Sequence, residues 1–188
     1  MKISNTRYTT EEILALFPDA KIDHNKVEGM AKRSIPESLA QGKKPVSQFT
    51  SRLVNDVKCA VNLDVYSDGS YALYGAIPEE VSTRGYANYT IFKTNGNLWS
   101  AQFTISCNDS TNEISSVSGG SASATIAGSA LGYAVSGTSA VKISNRKAEM
   151  TIYETLTIIN VNAYTVTTLY KLTATTTSTT ISSVLRPV

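Results

Sequence analysis

Val57-Lys58-Cys59-Ala60-Val61-Asn62-Leu63-Asp64-Val65-Tyr66 decides the fold. Its odd-numbered members are apolar and its even-numbered members mostly polar. That period of two gives a strand one dry face and one wet face. Asp68-Gly69 follows, and Tyr71 and Leu73 open a second run. An Asp-Gly pair between alternating runs signals a hairpin, and a type I′ turn there needs positive φ at both central residues. The pattern recurs downstream. Tyr86 to Lys93 leads to Asn95-Gly96, after which Trp99, Ala101, Phe103, Ile105 and Cys107 line up on one face.

Toward the C-terminus, residues 115–139 are built of Gly, Ser, Ala and isolated aliphatics, with Gly119-Gly120, Gly128, Gly132 and Gly137. Weak alternation at Ala122, Ala124 and Ile126, and again at Leu131, Tyr133 and Val135, predicts short strands joined by Gly-rich bends. A flexible linker is the competing reading. Strong β character returns with Ala148, Met150, Ile152, Leu156 and Ile158, a parity set interrupted by Glu154. A turn near Asn160-Val161-Asn162 precedes a second set, Tyr164, Val166, Thr168, Tyr170 and Leu172. Thr173 to Thr180 then extends that strand or becomes an edge or tail. Seven or eight short strands add up to a mainly β domain, an antiparallel sandwich or open barrel. No region alternates strands with helices as a parallel α/β fold does.

Toward the N-terminus the pattern changes. Residues 1–94 hold 23 of the 32 charged side chains, and residues 1–45 read as a helical and loop extension before the β domain of residues 46–188. Thr9-Thr10-Glu11-Glu12 has capping-box spacing, with Ile13, Leu14, Leu16 and Phe17 as apolar contacts and Pro18 as the stop. Ser34-Ile35-Pro36-Glu37 repeats the signal, with Gly42 ending it. Helices this brief are unstable alone and must dock on something.

The chain has 188 residues, a size at which a single domain needs no metal or cofactor to fold. Charged residues make up 17%, below the usual value of about 25%. Ser and Thr, 23 of each, fill the difference. Such composition suits sheet surfaces and exported proteins. A formal charge of +2 and a pI near 8.5 fall short of a nucleic-acid-binding footprint. Lys32-Arg33 and Lys43-Lys44 are short, separated basic pairs. No apolar run reaches roughly 18 residues, so membrane insertion is not expected, and no cationic start with an apolar core marks a signal peptide.

Cys59 and Cys107 both fall on the apolar side of their strands, as a disulfide or as two buried thiols. A bond needs Cα atoms within about 7 Å, and in the chain-entropy model it would contribute on the order of 4 kcal/mol. It would also point to an oxidising compartment. With one histidine in the chain, the two do not make a zinc site. Neither a metal nor a cofactor is expected.

Catalytic signals are sparse. The histidine, His24, sits in the polar stretch Asp19 to Asn25, reads as an exposed loop residue and would act only if that loop folded back against a nucleophile, and there is no G-x-S-x-G, H-E-x-x-H or P-loop. Asp19 and Asp23 do not extend into a calcium loop. A glycosidase needs two carboxylates roughly 5 to 9.5 Å apart. Glu154 is the candidate, although a strand end, an edge or a bulge accounts for it more simply. Glu79 and Glu80, after Ile77-Pro78, read as an exposed turn. Glycan binding has a clearer basis, because Tyr66, Tyr71 and Tyr74 flank the first hairpin and Tyr86, Tyr89 and Trp99 the second. Tyr66, Tyr71 and Tyr74 would form a stacking surface if they turn outward, against ordinary cross-strand pairing. Trp99 shares a face with Phe103 and Ile105 and reads as core.

Val65-Tyr66-Ser67-Asp68-Gly69-Ser70-Tyr71, Thr83-Arg84-Gly85-Tyr86-Ala87-Asn88-Tyr89-Thr90 and Ile114-Ser115-Ser116-Val117-Ser118-Gly119-Gly120 are similar to small exported β-rich proteins of Gram-positive, gut-associated bacteria. The likeness covers Cys59 to Thr176. It implies export and transfers no functional residue. The resulting expectation is a secreted or surface-associated, non-catalytic β domain that binds a macromolecule or glycan or serves a structural role. The alternatives are a glycan-binding module on exposed tyrosines and a carboxylate-based hydrolase.

Overall fold

The computed structural model describes residues 8–22, 38, 43–79, 83–96, 98–158 and 164–188. The chain order is α1 (Thr10–Leu14), β1 (Ser47–Leu53), β2 (Asp56–Val65), β3 (Tyr71–Pro78), β4 (Tyr86–Asn95), β5 (Trp99–Asn108) and β6 (Ile114–Ala124). It continues with α2 (Ile126–Ala130), β7 (Tyr133–Gly137), β8 (Val141–Ser144), β9 (Lys147–Ile158), β10 (Tyr164–Thr176) and β11 (Ile181–Pro187). The eleven strands form one sheet in the order β6-β5-β4-β3-β2-β11-β10-β9-β7, with β1 on β2 and β8 on β9. The expectation of an antiparallel sheet of seven or eight strands needs correction. Among the described residues eleven strands form, and β11 meets β2 in parallel at Ile181 and Cys59, so the sheet is mixed. No local pattern signals that join, which unites two meanders far apart in sequence.

The sheet curls until it is nearly closed and barrel-like. Trp99 on β5 and Glu154 on β9, six steps apart in the strand order, share a hydrogen bond. β3 shows what the curling does to burial. Tyr71, Ala72, Leu73, Ala76 and Ile77 are buried although they point alternately to both faces. The inner face meets the interior, while the outer side bears Leu63, Leu73 and Phe49. The Phe17 ring, just beyond α1, lies 6.3 Å from that of Phe49, and Ile13 and Phe17 belong to the same buried cluster as the sheet. Burial on both faces makes a strand read as a continuous apolar run.

α1 starts as its sequence predicts. Thr9 Oγ1 accepts from the Glu12 N–H at 3.2 Å, and the Thr9 N–H donates to Glu12 Oε2 at 2.7 Å. Thr9→Ala is expected to lower the unfolding free energy by about 1 kcal/mol, read as a lower urea midpoint at unchanged slope. The helix expected at Ser34 lies outside the described residues.

The hairpin turns differ from the type I′ expectation. Gly69 has φ +83, but Asp68 is not in the positive region. Tyr66 N–H donates to the Ser70 carbonyl and Gly69 N–H to the Tyr66 carbonyl. This is a three-residue loop with glycine at its left-handed position. Asp68 Oδ1 accepts from the Ser70 N–H and hydroxyl instead. Residues 115–139 carry two strands and a helical turn, not a linker. Thr125 caps α2 by accepting from the Gly128 N–H at 3.0 Å. A Cβ at position 128 would collide with the Leu98 carbonyl, which is why a glycine stands inside this helix.

Cys59 and Cys107 are buried free thiols. The disulfide considered from sequence does not form, and both sulfurs are free. Burial pushes the Cys107 thiol up to about 11 and that of Cys59 higher still. Both are expected to ignore a thiol reagent in the native protein and to react fully in denaturant, with no mass gain on reduction.

Candidate functional site: a buried charged layer on the inner face

β4 carries Tyr89, Ile91, Lys93 and Asn95 on its inner face. In the ladders Lys93 lies opposite Tyr74 on β3 and Ala101 on β5, while Asn95 lies opposite Trp99. On β9, Ala148, Met150, Ile152, Glu154 and Leu156 share the inner face. Glu154 is flanked by Val135 on β7 and Thr168 on β10. Curling brings these walls together. Lys93 is 5% exposed and Glu154 4%, values at which an ionisable side chain is normally paired or neutral.

Trp99 Nε1 donates to Glu154 Oε2 at 2.5 Å. The Tyr170 ring lies 6.0 Å from that of Trp99, and its hydroxyl favours the carboxylate. Lys93 Nζ lies 5.7 Å from the Tyr74 ring centroid and 5.9 Å from that of Trp99. Among the described residues, the ammonium meets ring faces and not a hydrogen-bond acceptor. An aromatic face attracts a cation, the more so when water is excluded. The Tyr133 hydroxyl and Asn95 Oδ1 are buried without a hydrogen-bond partner. Unsatisfied buried polar atoms are rare in native proteins and each calls for a cause.

Burial dominates the protonation of the layer. It raises Glu154 to about 7, against the Trp99 N–H, the Lys93 ammonium and the Tyr170 hydroxyl, all of which favour the anion. It lowers Lys93 to about 8, opposed by the charges of Asp64 and Glu154. Burial also lifts the phenols. Asp64 adds to the rise at Tyr66 and Tyr74, and Glu154 at Tyr133 and Tyr170. Near neutral pH the layer therefore offers an ammonium, a carboxyl poised to change charge and several protonated phenols.

No family model, curated protein or solved structure matches this chain.

The sequence candidates fall in different places. Tyr66 and Tyr74 stand near Asp64 on the layer's side of the sheet. Tyr71 is buried, paired with Val65 on the other face, where burial and the nearby Glu11 raise its phenol. The first hairpin thus divides its tyrosines between two faces. Trp99 is fully buried, as read. Glu154 sits in unbroken register with both neighbours, so no edge or bulge accounts for it. Glu79 is half-buried and not part of an exposed turn: its Oε1 accepts from the Thr90 and Thr104 hydroxyls at 3.0 and 2.8 Å. His24 and Glu80 lie outside the described residues. Among the described residues no group of three or more His, Cys, Asp and Glu is placed to hold a metal ion, and no helix is long and apolar enough to cross a membrane. Lys93 escaped the sequence reading. Its signal was a lysine at the dry parity of Tyr89 and Ile91, the same kind of interruption as Glu154.

Proposed function

We propose that the chain is a secreted or surface-associated, non-catalytic β module. In this reading the sheet forms an open barrel whose inner charged layer binds a small polar ligand, such as the end of a glycan. The observation that carries it is the burial of Lys93 and Glu154 together beneath Trp99. Well-packed apolar residues would serve stability as well as or better than two buried ionisable groups, so the two serve another purpose. The unpartnered Tyr133 hydroxyl and Asn95 Oδ1 supply a donor and an acceptor for a ligand that also takes the Lys93 ammonium. Tyr66 and Tyr74 keep part of the aromatic surface expected for sugar recognition. The exported location rests on the Ser- and Thr-rich composition and on the resemblance.

Trp99 is the single tryptophan, and its indole touches the carboxylate, so intrinsic fluorescence reports directly on the site. A screen of small sugars and hydroxy acids is expected to find ligands that shift this emission. Lys93→Met and Glu154→Gln should each abolish the shift. Ligands that bind equally well to both variants would reject the site.

A hydrolase is the second reading, favoured by a carboxyl near 7 beside an amine near 8. Such values suit general acid–base chemistry. Turnover of chromogenic glycosides that disappears in Glu154→Gln would replace binding with catalysis.

A further inference from the structure

Alternation sends Lys171, Thr173 and Thr175 of β10 to the outer face, away from Leu172 and Ala174. There they line a groove of about 450 Å3 with Lys147 and Glu149 of β9 and Arg186 of β11. That volume is in the range of ligand clefts. The groove's side chains are lopsided in charge, three cations against one carboxylate, with Val188 also in the lining. Glu149 is already engaged, with Lys171 Nζ 3.1 Å from its Oε1 and Lys147 Nζ 3.6 Å from its Oε2. Arg186 has no carboxylate partner among the described residues. Yet Lys171 and Arg186 are direct cross-strand partners. Like charges opposite each other weaken a ladder unless something negative lies between them.

We propose that this groove binds an anionic, polyhydroxylated chain, a glycan bearing carboxylate or phosphate groups. An oxyanion bridges Lys171 Nζ and the Arg186 guanidinium, whose planar fork suits two-point contact with carboxylate or phosphate. The Thr173 and Thr175 hydroxyls, two residues apart on one strand, meet successive hydroxyls of the chain. Val184, 37% exposed in the same groove, offers an apolar contact for ring carbons. The site is separate from the buried layer, because β9 and β10 present the two to opposite faces.

The test titrates the full chain with polygalacturonate, with a polyol-phosphate polymer and with neutral dextran, following heat by calorimetry at low and high salt. Binding to at least one polyanion, weakened by salt, is expected, and the two polyanions separate carboxylate from phosphate recognition. Arg186→Gln and Lys171→Gln should each weaken it about ten-fold. Lys44→Gln, which removes the same charge outside the groove, should leave it unchanged. Glu149→Gln, which frees two cations, should strengthen it. No binding to either polyanion, equal binding to dextran, undiminished affinity in Arg186→Gln, or an equal loss in Lys44→Gln would each overturn the proposal.

Discussion

Lys93→Met, with Glu154 left in place, is expected to push the Glu154 carboxyl further above its already raised value, so that stability keeps falling to a higher pH than in wild type. The variant keeps the Trp99 N–H on the carboxylate but removes a cation whose charge favours the anion. The double variant Lys93→Met/Glu154→Leu should behave differently. With both charges gone, the apolar replacements pack among Ile91, Ala101, Ile152 and Leu156, and stability should be unchanged or higher by about 1–4 kcal/mol. Urea unfolding of wild type, both single variants and the double closes the cycle. Single losses that simply add in the double would mean that the two charges do not interact.

The second large effect is on pH dependence. Glu154 titrates at about 7 when folded, against 4.5 ordinarily, so the folded protein holds a proton that the unfolded chain has released. Its contribution is fully present below pH 4.5 and is lost as pH rises toward and through 7. At about 1.4 kcal/mol per pKa unit the loss comes to about 3–4 kcal/mol. Lys93 runs the opposite way. Depressed from 10.5 to about 8, it gives up its proton first in the folded state. Its contribution is therefore present above pH 10.5 and lost as pH falls through 8. Between pH 7 and 8 both costs apply together. The stability difference between wild type and the double variant should therefore dip in that interval and recover on either side. Urea midpoints from about pH 4 to pH 10 test this, and a flat difference would mean that water reaches both groups.

A ligand seated on the layer would change the same profile. A carboxylate beside Lys93 would hold the ammonium charged and offset its burial cost near neutral pH, because a ligand that binds only the folded state stabilises it by mass action. The dip would then fill in with ligand concentration.

Much of this was legible in local pattern. Alternation along Cys59–Val65 and Trp99–Cys107 placed the strands and their dry faces, although Val57, read on the same face, is 67% exposed, and Thr9 with Glu12 announced the capping box. Asp68-Gly69 located a turn while misnaming its type, since only Gly69 takes the positive φ that the loop needs. Weak signals were harder. In residues 115–139 small side chains blur the alternation, and Gly128 looked like a bend where close packing on Leu98 demanded it.

The candidate site was half legible. Glu154 stood out because it broke a parity set, and Lys93 broke another without being noticed. Their meeting depends on the sheet curling until β4 and β5 face β9, which no spacing within either strand encodes.

By itself, then, the sequence determined which residues alternate, where the chain turns and which side chains seek a dry face, because these are interactions between near neighbours. Tertiary structure alone decided that β11 joins β2 in parallel, that Cys59 and Cys107 stay apart and that a lysine and a glutamate share one buried layer. Those outcomes depend on contacts between distant segments, whose geometry is set by how the whole sheet closes.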